Sequence, residues 1–148
     1  MKALSLLPEW AHFVWTGEKT IECRSWKTDY RGDILICASS RKLKGFVSGY
    51  AMVVVELLDI VPFQKKHLQA AMMEEMPDIP CYAWILGDTK EIIPFEQKGK
   101  LHLFDVKDEK IQYLYAKTDE EAEANFEKYF KPLYEAAGMC FDEQQVKR

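Results

Sequence analysis

Short apolar stretches alternate with polar turns along most of the chain, which predicts a domain rich in β-strands. Residues 34–38 are apolar throughout, as in a strand that is buried on both faces. Residues 50–61 are rich in β-branched side chains and stop at Pro62, which favours a second, longer strand. Shorter strands are predicted at residues 4–7, 20–26, 82–86, 90–95, 101–106 and 111–115.

Three segments have apolar residues at helical spacing. Pro8 suits the first position of a helix, and Gly17 suits its C-terminal cap. A second helix is predicted over residues 64–76. Thr118 and Glu121 have the spacing of a capping box, which predicts a C-terminal helix that packs against the rest of the domain.

The order of these elements indicates the fold class. Residues 87–89, Gly-Asp-Thr, are typical of a hairpin connection between two strands. Because two or three helices interrupt the strands without regular βαβ alternation, the pattern predicts an α+β fold, a small closed or half-closed mixed β-barrel with helices at its ends. A chain of 148 residues fits one such domain with its own core.

The charge is unevenly distributed along the chain. The formal net charge of -4 argues against strong, non-specific binding of duplex nucleic acid, which depends on many basic residues. Residues 17–45 nevertheless contain seven basic and four acidic side chains, whereas the part after residue 116 is acidic. If the protein has a basic surface, it therefore belongs to the first third of the chain.

Cysteine and histidine positions exclude several classes of site. The four cysteines are far apart and mostly lie in apolar runs, which predicts reduced core thiols at Cys23, Cys37, Cys81 and Cys140. No histidine has neighbours at metal-site spacing, so no metal and no cofactor are expected. We see neither a secretory signal nor an apolar stretch long enough to cross a bilayer, and we expect a cytoplasmic protein without membrane contact.

Polar side chains concentrate in the segment 17–32. On a strand that begins at Thr20, the side chains of Glu22, Arg24 and Trp26 share one face. A packed core excludes such a set unless every member is paired. The residues leave two interpretations open: a solvated face with a Glu22–Arg24 ion pair, or one wall of a polar ligand site.

Two further groups of residues suit nucleic acid. Trp26 and Tyr30, beside Lys27 and Arg31, resemble surfaces on which single-stranded bases stack, although packing of Trp26 against the loop is at least as favoured. Residues 98–100, Lys-Gly-Lys, place two cations around a glycine whose backbone can approach a phosphate, and the alternative is an ordinary exposed turn.

In order and spacing, several segments together resemble the ASCH domain family. They are GEKTIECRSW at residues 17–26, YRG at 30–32, ICAS at 36–39, VEL at 55–57, YAWIL at 82–86 and KGKL at 98–101, closing on Phe104. The resemblance implies a PUA-like barrel over residues 1–110, with residues 111–148 as a C-terminal helical extension docked on it. It also implies RNA-related roles, since some members bind nucleic acid and some are hydrolases.

The resemblance implies a cleft lined by the first motif. The expected ligand-binding residues are Arg24, Trp26, Lys27, Tyr30, Arg31, Ser39, Lys98 and Lys100. A similar small hydrolase, which removes the acetyl group from N4-acetylcytidine, has a lysine at the place of Lys19, a threonine at the place of Glu22 and a helical glutamate. Lys19 and Glu22 are therefore the candidate catalytic residues, and Glu74 or Glu75 is a candidate for the third group. A carboxylate at position 22 cannot act as that threonine hydroxyl.

Three functional hypotheses follow. The leading one is a protein that binds RNA or a modified nucleoside in this cleft. The second is an amidohydrolase or ribonuclease, with Lys19 as cation or base and Glu22 as acid or base. The third is an interaction module whose acidic C-terminal helix docks a partner. A concave pocket of nucleoside size around Lys19, Glu22 and Arg24 favours a small ligand or an enzyme, and an open basic face favours an RNA-binding module. The oligomeric state stays open.

Overall fold

Six β-strands form one curled, mixed sheet in the computed structural model, which describes residues 1–139. They are β1 (Lys2–Leu6), β2 (Ile21–Arg24), β3 (Gly32–Ala38), β4 (Tyr50–Pro62), β5 (Tyr82–Glu96) and β6 (Leu103–Asp105). Their order across the sheet is β2-β5-β4-β3-β1-β6, with β1 and β3 parallel and all other neighbours antiparallel. Within the described residues β2 and β6 are the two edges, so the sheet is a half-barrel.

Strand β5 is continuous, so the predicted hairpin at residues 87–89 is wrong. The register between β5 and β4 shifts twice between residues 55 and 59 of β4. A Cβ atom at Gly87 would lie 3.1 Å from the side chain of Leu58. The glycine therefore permits close approach of the neighbouring strand at a bulge, and bulges of this kind bend the paired strands.

The segment at residues 64–76 is not the predicted helix. It forms a 3-10 turn (Lys65–His67) followed by irregular turns. The carbonyl of Ala70 accepts a hydrogen bond from the first backbone N–H of β2, and the carbonyl of Ala71 accepts one from the Lys19 ammonium group. A helix needs such carbonyls for its own ladder. Tertiary hydrogen bonds therefore override the helical spacing of the apolar residues.

The predicted strand at residues 111–115 is also wrong. Tyr113 forms one isolated bridge with Ile92 of β5, closed by backbone hydrogen bonds from Ile93 to the Gln112 carbonyl and from Leu114 to the Glu91 carbonyl. The pairing does not extend beyond this bridge, so the segment is not a strand.

Both predicted terminal helices are present. The first, α1 (Pro8–Thr16), ends at Gly17, whose φ of 84° is the left-handed conformation of a helix cap. The C-terminal helical segment comprises α2 (Asp119–Asn125), a π-helical turn (Phe126–Phe130) and α3 (Lys131–Ala136). Its cap is the predicted one, since Thr118 Oγ1 accepts a hydrogen bond from Glu121 N at 3.1 Å. Pro132 has no N–H to donate to the preceding turn, which explains the wider π-helical turn before it.

The two terminal helical segments pack together in the main core. Phe130 and Tyr134 are each 1% exposed, and both rings stack on Trp15 of α1, with centroid distances of 4.8 and 5.5 Å. The Tyr134 hydroxyl group forms a hydrogen bond with His12 Nδ1 at 2.7 Å. Residues 34–38 of β3 are fully buried between this core and a second apolar cluster behind the sheet. The predicted α+β class is confirmed.

The thiols of the described cysteines are free. Cys37 is completely buried, and burial raises its pKa to about 12, so it stays a neutral core thiol. Cys23 and Cys81 are half-buried, and Cys140 lies outside the described residues. None of the helices in the described part of the chain is long and apolar enough to cross a membrane.

Candidate functional site

A concave site, here called the charged cleft, opens between α1, the start of β2 and the turns after residue 64. It has a volume of about 430 Å³ and is lined by Trp10, Lys19, Glu22, Arg24, Ser39 and Met73, among others. The lining side chains come from segments that are far apart in the sequence. The polar residues of β2 therefore face a cavity and not open solvent.

Lys19 lies at the floor of the charged cleft. The chain reverses at Gly17, and the backbone N–H of Lys19 donates to the Phe13 carbonyl at 2.9 Å. The side chain is 3% exposed; its Nζ donates to the Ala71 carbonyl at 2.6 Å and lies 5.0 Å from the Trp10 ring centroid. Burial lowers the pKa of Lys19, and the nearby Glu22 carboxylate partly offsets that effect.

Glu22 connects the two cations of the charged cleft. Its Oε1 atom lies 3.5 Å from Lys19 Nζ, and its Oε2 atom lies 3.3 Å from Arg24 Nε. Glu22 is 7% exposed, and it is paired across the sheet with the fully buried Trp84. The Glu22–Arg24 ion pair predicted from the sequence exists, but it belongs to a chain of three charges in which Lys19 and Glu22 are buried and Arg24 is half-buried.

Two polar atoms at the edge of the charged cleft lack hydrogen bonds within residues 1–139. Arg24 Nη2 donates to the Ser5 carbonyl at 2.8 Å, whereas the Nε–H group of Arg24 is not directed at the nearby Glu22 oxygen and contacts it only as an ion pair. The Ser39 hydroxyl oxygen is buried and has no partner. Buried polar groups are seldom left unpaired in folded proteins, so the Ser39 hydroxyl group, on a residue that lines the cleft, lacks a partner that a ligand can supply.

A second concavity, here called the loop cleft, adjoins the first. It has a volume of about 390 Å³, and Ser5, Arg24 and Ser39 line both clefts. Its other wall is the loop between β5 and β6, which includes Lys98 and Lys100. The predicted residues Lys19, Glu22, Arg24, Ser39, Lys98 and Lys100 therefore line one continuous region.

The predicted aromatic residues make other contacts. Trp26 packs edge-on against Trp84 and His102, with both centroid distances at 4.8 Å, and its carbonyl accepts a hydrogen bond from Trp84 Nε1. The Tyr30 hydroxyl group donates to the Asp33 carbonyl at 2.7 Å. Neither ring lines the charged cleft or the loop cleft. Their role in base stacking stays a prediction.

The remaining predicted basic residues also contact other elements. Lys27 Nζ lies 5.5 Å from the Tyr82 ring centroid. Arg31 is exposed and pairs with Asp59 at 3.5 Å. Both lie outside the two clefts, and their part in ligand binding stays a prediction.

Sequence reasoning missed Trp10 and Met73, which line the charged cleft. Trp10 follows the helical spacing of the apolar residues of α1, which by itself indicates a position in the core. Met73 was expected on a helix that does not form. Glu74 and Glu75 are exposed and line neither cleft. In the described residues no group of histidine, cysteine, aspartate and glutamate side chains is arranged to hold a metal ion.

Comparison with known proteins gives a consistent result. The family model described as the ASCH domain matches residues 4–137. A crystal structure of ASCH from Zymomonas mobilis is similar, with a TM-score of 0.56 and 20% identity over 73% of this chain and 88% of that one. A mutant of the same protein has a TM-score of 0.57 and 20% identity over 73% and 89% of the two chains. At this identity the structures show the fold alone. No curated protein sequence matches the chain.

Proposed function

Because this chain belongs to the ASCH domain family, which is PUA-like, we propose that its charged cleft binds a nucleoside, either a modified free one or one within RNA. The observation that carries the proposal is the chain of charges formed by buried Lys19, buried Glu22 and half-buried Arg24, which lines a cavity of about 430 Å³. Ligand sites of small molecules have volumes of this order and a few convergent polar groups.

The chemistry of the charged cleft suits a base and a ribose. Trp10, Met73 and Leu7 supply apolar surface against which a planar base can pack. The guanidinium group of Arg24 already donates to the Ser5 carbonyl, and its remaining Nη–H groups can donate to the acceptor edge of a base. The unpaired Ser39 hydroxyl group can exchange hydrogen bonds with a ribose hydroxyl group.

Replacing Arg24 with alanine is expected to weaken nucleoside binding by about tenfold or more, because hydrogen bonds to charged groups contribute roughly 1.5–3 kcal/mol. Isothermal titration calorimetry with adenosine, cytidine, guanosine, uridine and N4-acetylcytidine measures the affinity. Circular dichroism of the variant checks that it is folded, since the Arg24 side chain also binds the Ser5 carbonyl.

Arg31→Ala is the matched control. Arg31 belongs to the same sequence segment but pairs with Asp59 outside the clefts, so its loss should leave the affinity unchanged. Equal losses in both variants would favour the wider surface predicted from the sequence. Absence of binding to all five nucleosides, both free and as their monophosphates, would refute the proposal.

A second candidate function, hydrolysis of an amide or of RNA, is favoured by one observation. Burial lowers the pKa of Lys19, and Glu22 lies beside it in the charged cleft. An unprotonated lysine can accept a proton from water. In amide hydrolysis the hydroxide ion formed in this way bonds to the acyl carbon. The C–N bond then breaks, and the leaving amine takes the proton back from the lysine.

If Lys19 is that base, cytidine release from N4-acetylcytidine should rise with pH through the pKa of Lys19. This rise should occur below the pKa of an ordinary lysine, since burial favours the neutral amine. Lys19→Met should abolish turnover, and Lys27→Met should not. Chromatography of the products, with an RNA oligonucleotide as a parallel substrate, measures the rate. No product, or product that does not depend on Lys19, would exclude this function.

A further inference from the structure

The loop cleft has positive charge that a nucleoside in the charged cleft does not use. Arg24, Lys98 and Lys100 line the loop cleft, and none of its described lining residues is acidic. Lys98 and Lys100 are exposed, and within residues 1–139 neither forms an ion pair. The chain has a net charge of -4, but the charged side chains that line this concavity are all positive. The concavity therefore attracts anions.

The backbone of this loop has a defined shape, unlike an ordinary exposed turn. Gly99 packs so closely on β1 that a Cβ atom there would collide with the Ser5 hydroxyl group. His102 has a φ of 57°, which residues other than glycine rarely adopt, and its ring packs edge-on against Trp26. Backbone strain of this kind tends to occur at ligand-binding segments. The two exposed lysines that line the cleft therefore stand on a backbone held by packing on Ser5 and Trp26.

The two clefts meet at three residues. Ser5, Arg24 and Ser39 line both, and the unpaired Ser39 hydroxyl oxygen lies at this junction. A ligand that is too large for the charged cleft can therefore extend past these residues into the loop cleft. In a nucleotide, the group that follows the base and the ribose is a phosphate ester.

We infer that the loop cleft is a phosphate subsite, so that the ligand is a nucleotide, free or within RNA, and not an uncharged nucleoside. This inference rests on the proposed nucleoside site in the charged cleft. Lys98 and Lys100 supply the charge, and the close packing of Gly99 on Ser5 holds the backbone between them against β1.

The double variant Lys98→Ala/Lys100→Ala tests the subsite. Its control is Lys107→Ala/Lys110→Ala, two exposed lysines beyond the other end of β6. Calorimetry compares each nucleoside with its 5′- and 3′-monophosphates at low and high salt. In the wild type and the control, we expect a monophosphate to bind about tenfold tighter than its nucleoside, with a steeper salt dependence. In the double variant this advantage should disappear, while nucleoside affinity stays unchanged.

The outcomes separate the two proposals. Equal affinity for nucleoside and monophosphate would overturn the phosphate subsite and leave the nucleoside site intact. If neither class of compound binds, both proposals fail. Monophosphate binding that requires Arg24 and the two loop lysines supports the inference even where nucleoside binding is too weak to measure. A trinucleotide then identifies the source of the phosphate: tighter binding than the monophosphate assigns RNA, and weaker binding assigns a free nucleotide.

Discussion

Replacing Glu22 with alanine is expected to lower the free energy of unfolding by about 3–5 kcal/mol, because removal of one partner from a buried ion pair leaves an uncompensated charge. The charge left behind is Lys19, which is 3% exposed and retains the Ala71 carbonyl as a hydrogen-bond acceptor. Urea unfolding followed by tryptophan fluorescence measures the change.

The control for this prediction is Glu96→Ala. Glu96 is exposed and accepts a long hydrogen bond of 3.5 Å from Tyr50, so its loss should change the stability by less than about 0.5 kcal/mol. The double variant Lys19→Met/Glu22→Leu should recover much of the loss, since it removes the buried charge together with its partner. A loss near that of the control would mean that water reaches Lys19 in the folded protein.

The loss caused by Glu22→Ala should shrink as the pH rises. Burial lowers the pKa of folded Lys19 below its unfolded value, and Glu22 opposes this shift, so the variant lowers the pKa further. Between the folded and unfolded pKa values the unfolded chain binds more protons, and stability therefore rises with pH. Because folded Lys19 has the lower pKa in the variant, this rise in stability begins at a lower pH in the variant than in the wild type. The difference in stability between the two proteins therefore shrinks as the pH rises. Unfolding experiments at neutral and alkaline pH, with Glu96→Ala as reference, test this sign.

Replacing Phe130 with alanine is expected to cost about 3–5 kcal/mol, as for other large aromatic residues in protein cores. Phe130 is 1% exposed and stacks on Trp15 of α1 at a centroid distance of 4.8 Å. Tyr115→Ala is the control, since that ring is 83% exposed and its loss should be nearly neutral. Thermal and urea unfolding measure both variants.

The same experiment tests the predicted division between residues 1–110 and 111–148. If the C-terminal helical segment shares one cooperative core with the barrel, Phe130→Ala should shift a single transition for near-ultraviolet and far-ultraviolet circular dichroism alike. If it is a separate docked extension, part of the helical signal should melt first while the barrel transition stays in place. That second result would also be consistent with the third hypothesis, an interaction module whose acidic C-terminal helix docks a partner.

The candidate site was predictable in part. Glu22 and Arg24 were recognisable because period-two alternation on a strand places them on one face that a core would not accept. Lys98 and Lys100 were recognisable through the glycine between them. The period-two pattern did not decide what the Trp26 ring contacts. It is compatible both with stacking on a ligand and with packing on Trp84 and His102. Its contacts with those two rings come from elements more than 50 residues away.

Local patterns in the sequence alone determined the apolar strands at residues 34–38 and 50–61, the ends of α1 and the cap at Thr118, because each depends on neighbouring residues. Tertiary structure decided the rest. The segment at residues 64–76 is irregular because its carbonyls bind β2 and Lys19. Burial of Lys19 depends on that segment, and the cleft depends on both. Such contacts join residues about 50 positions apart, and no local pattern encodes them.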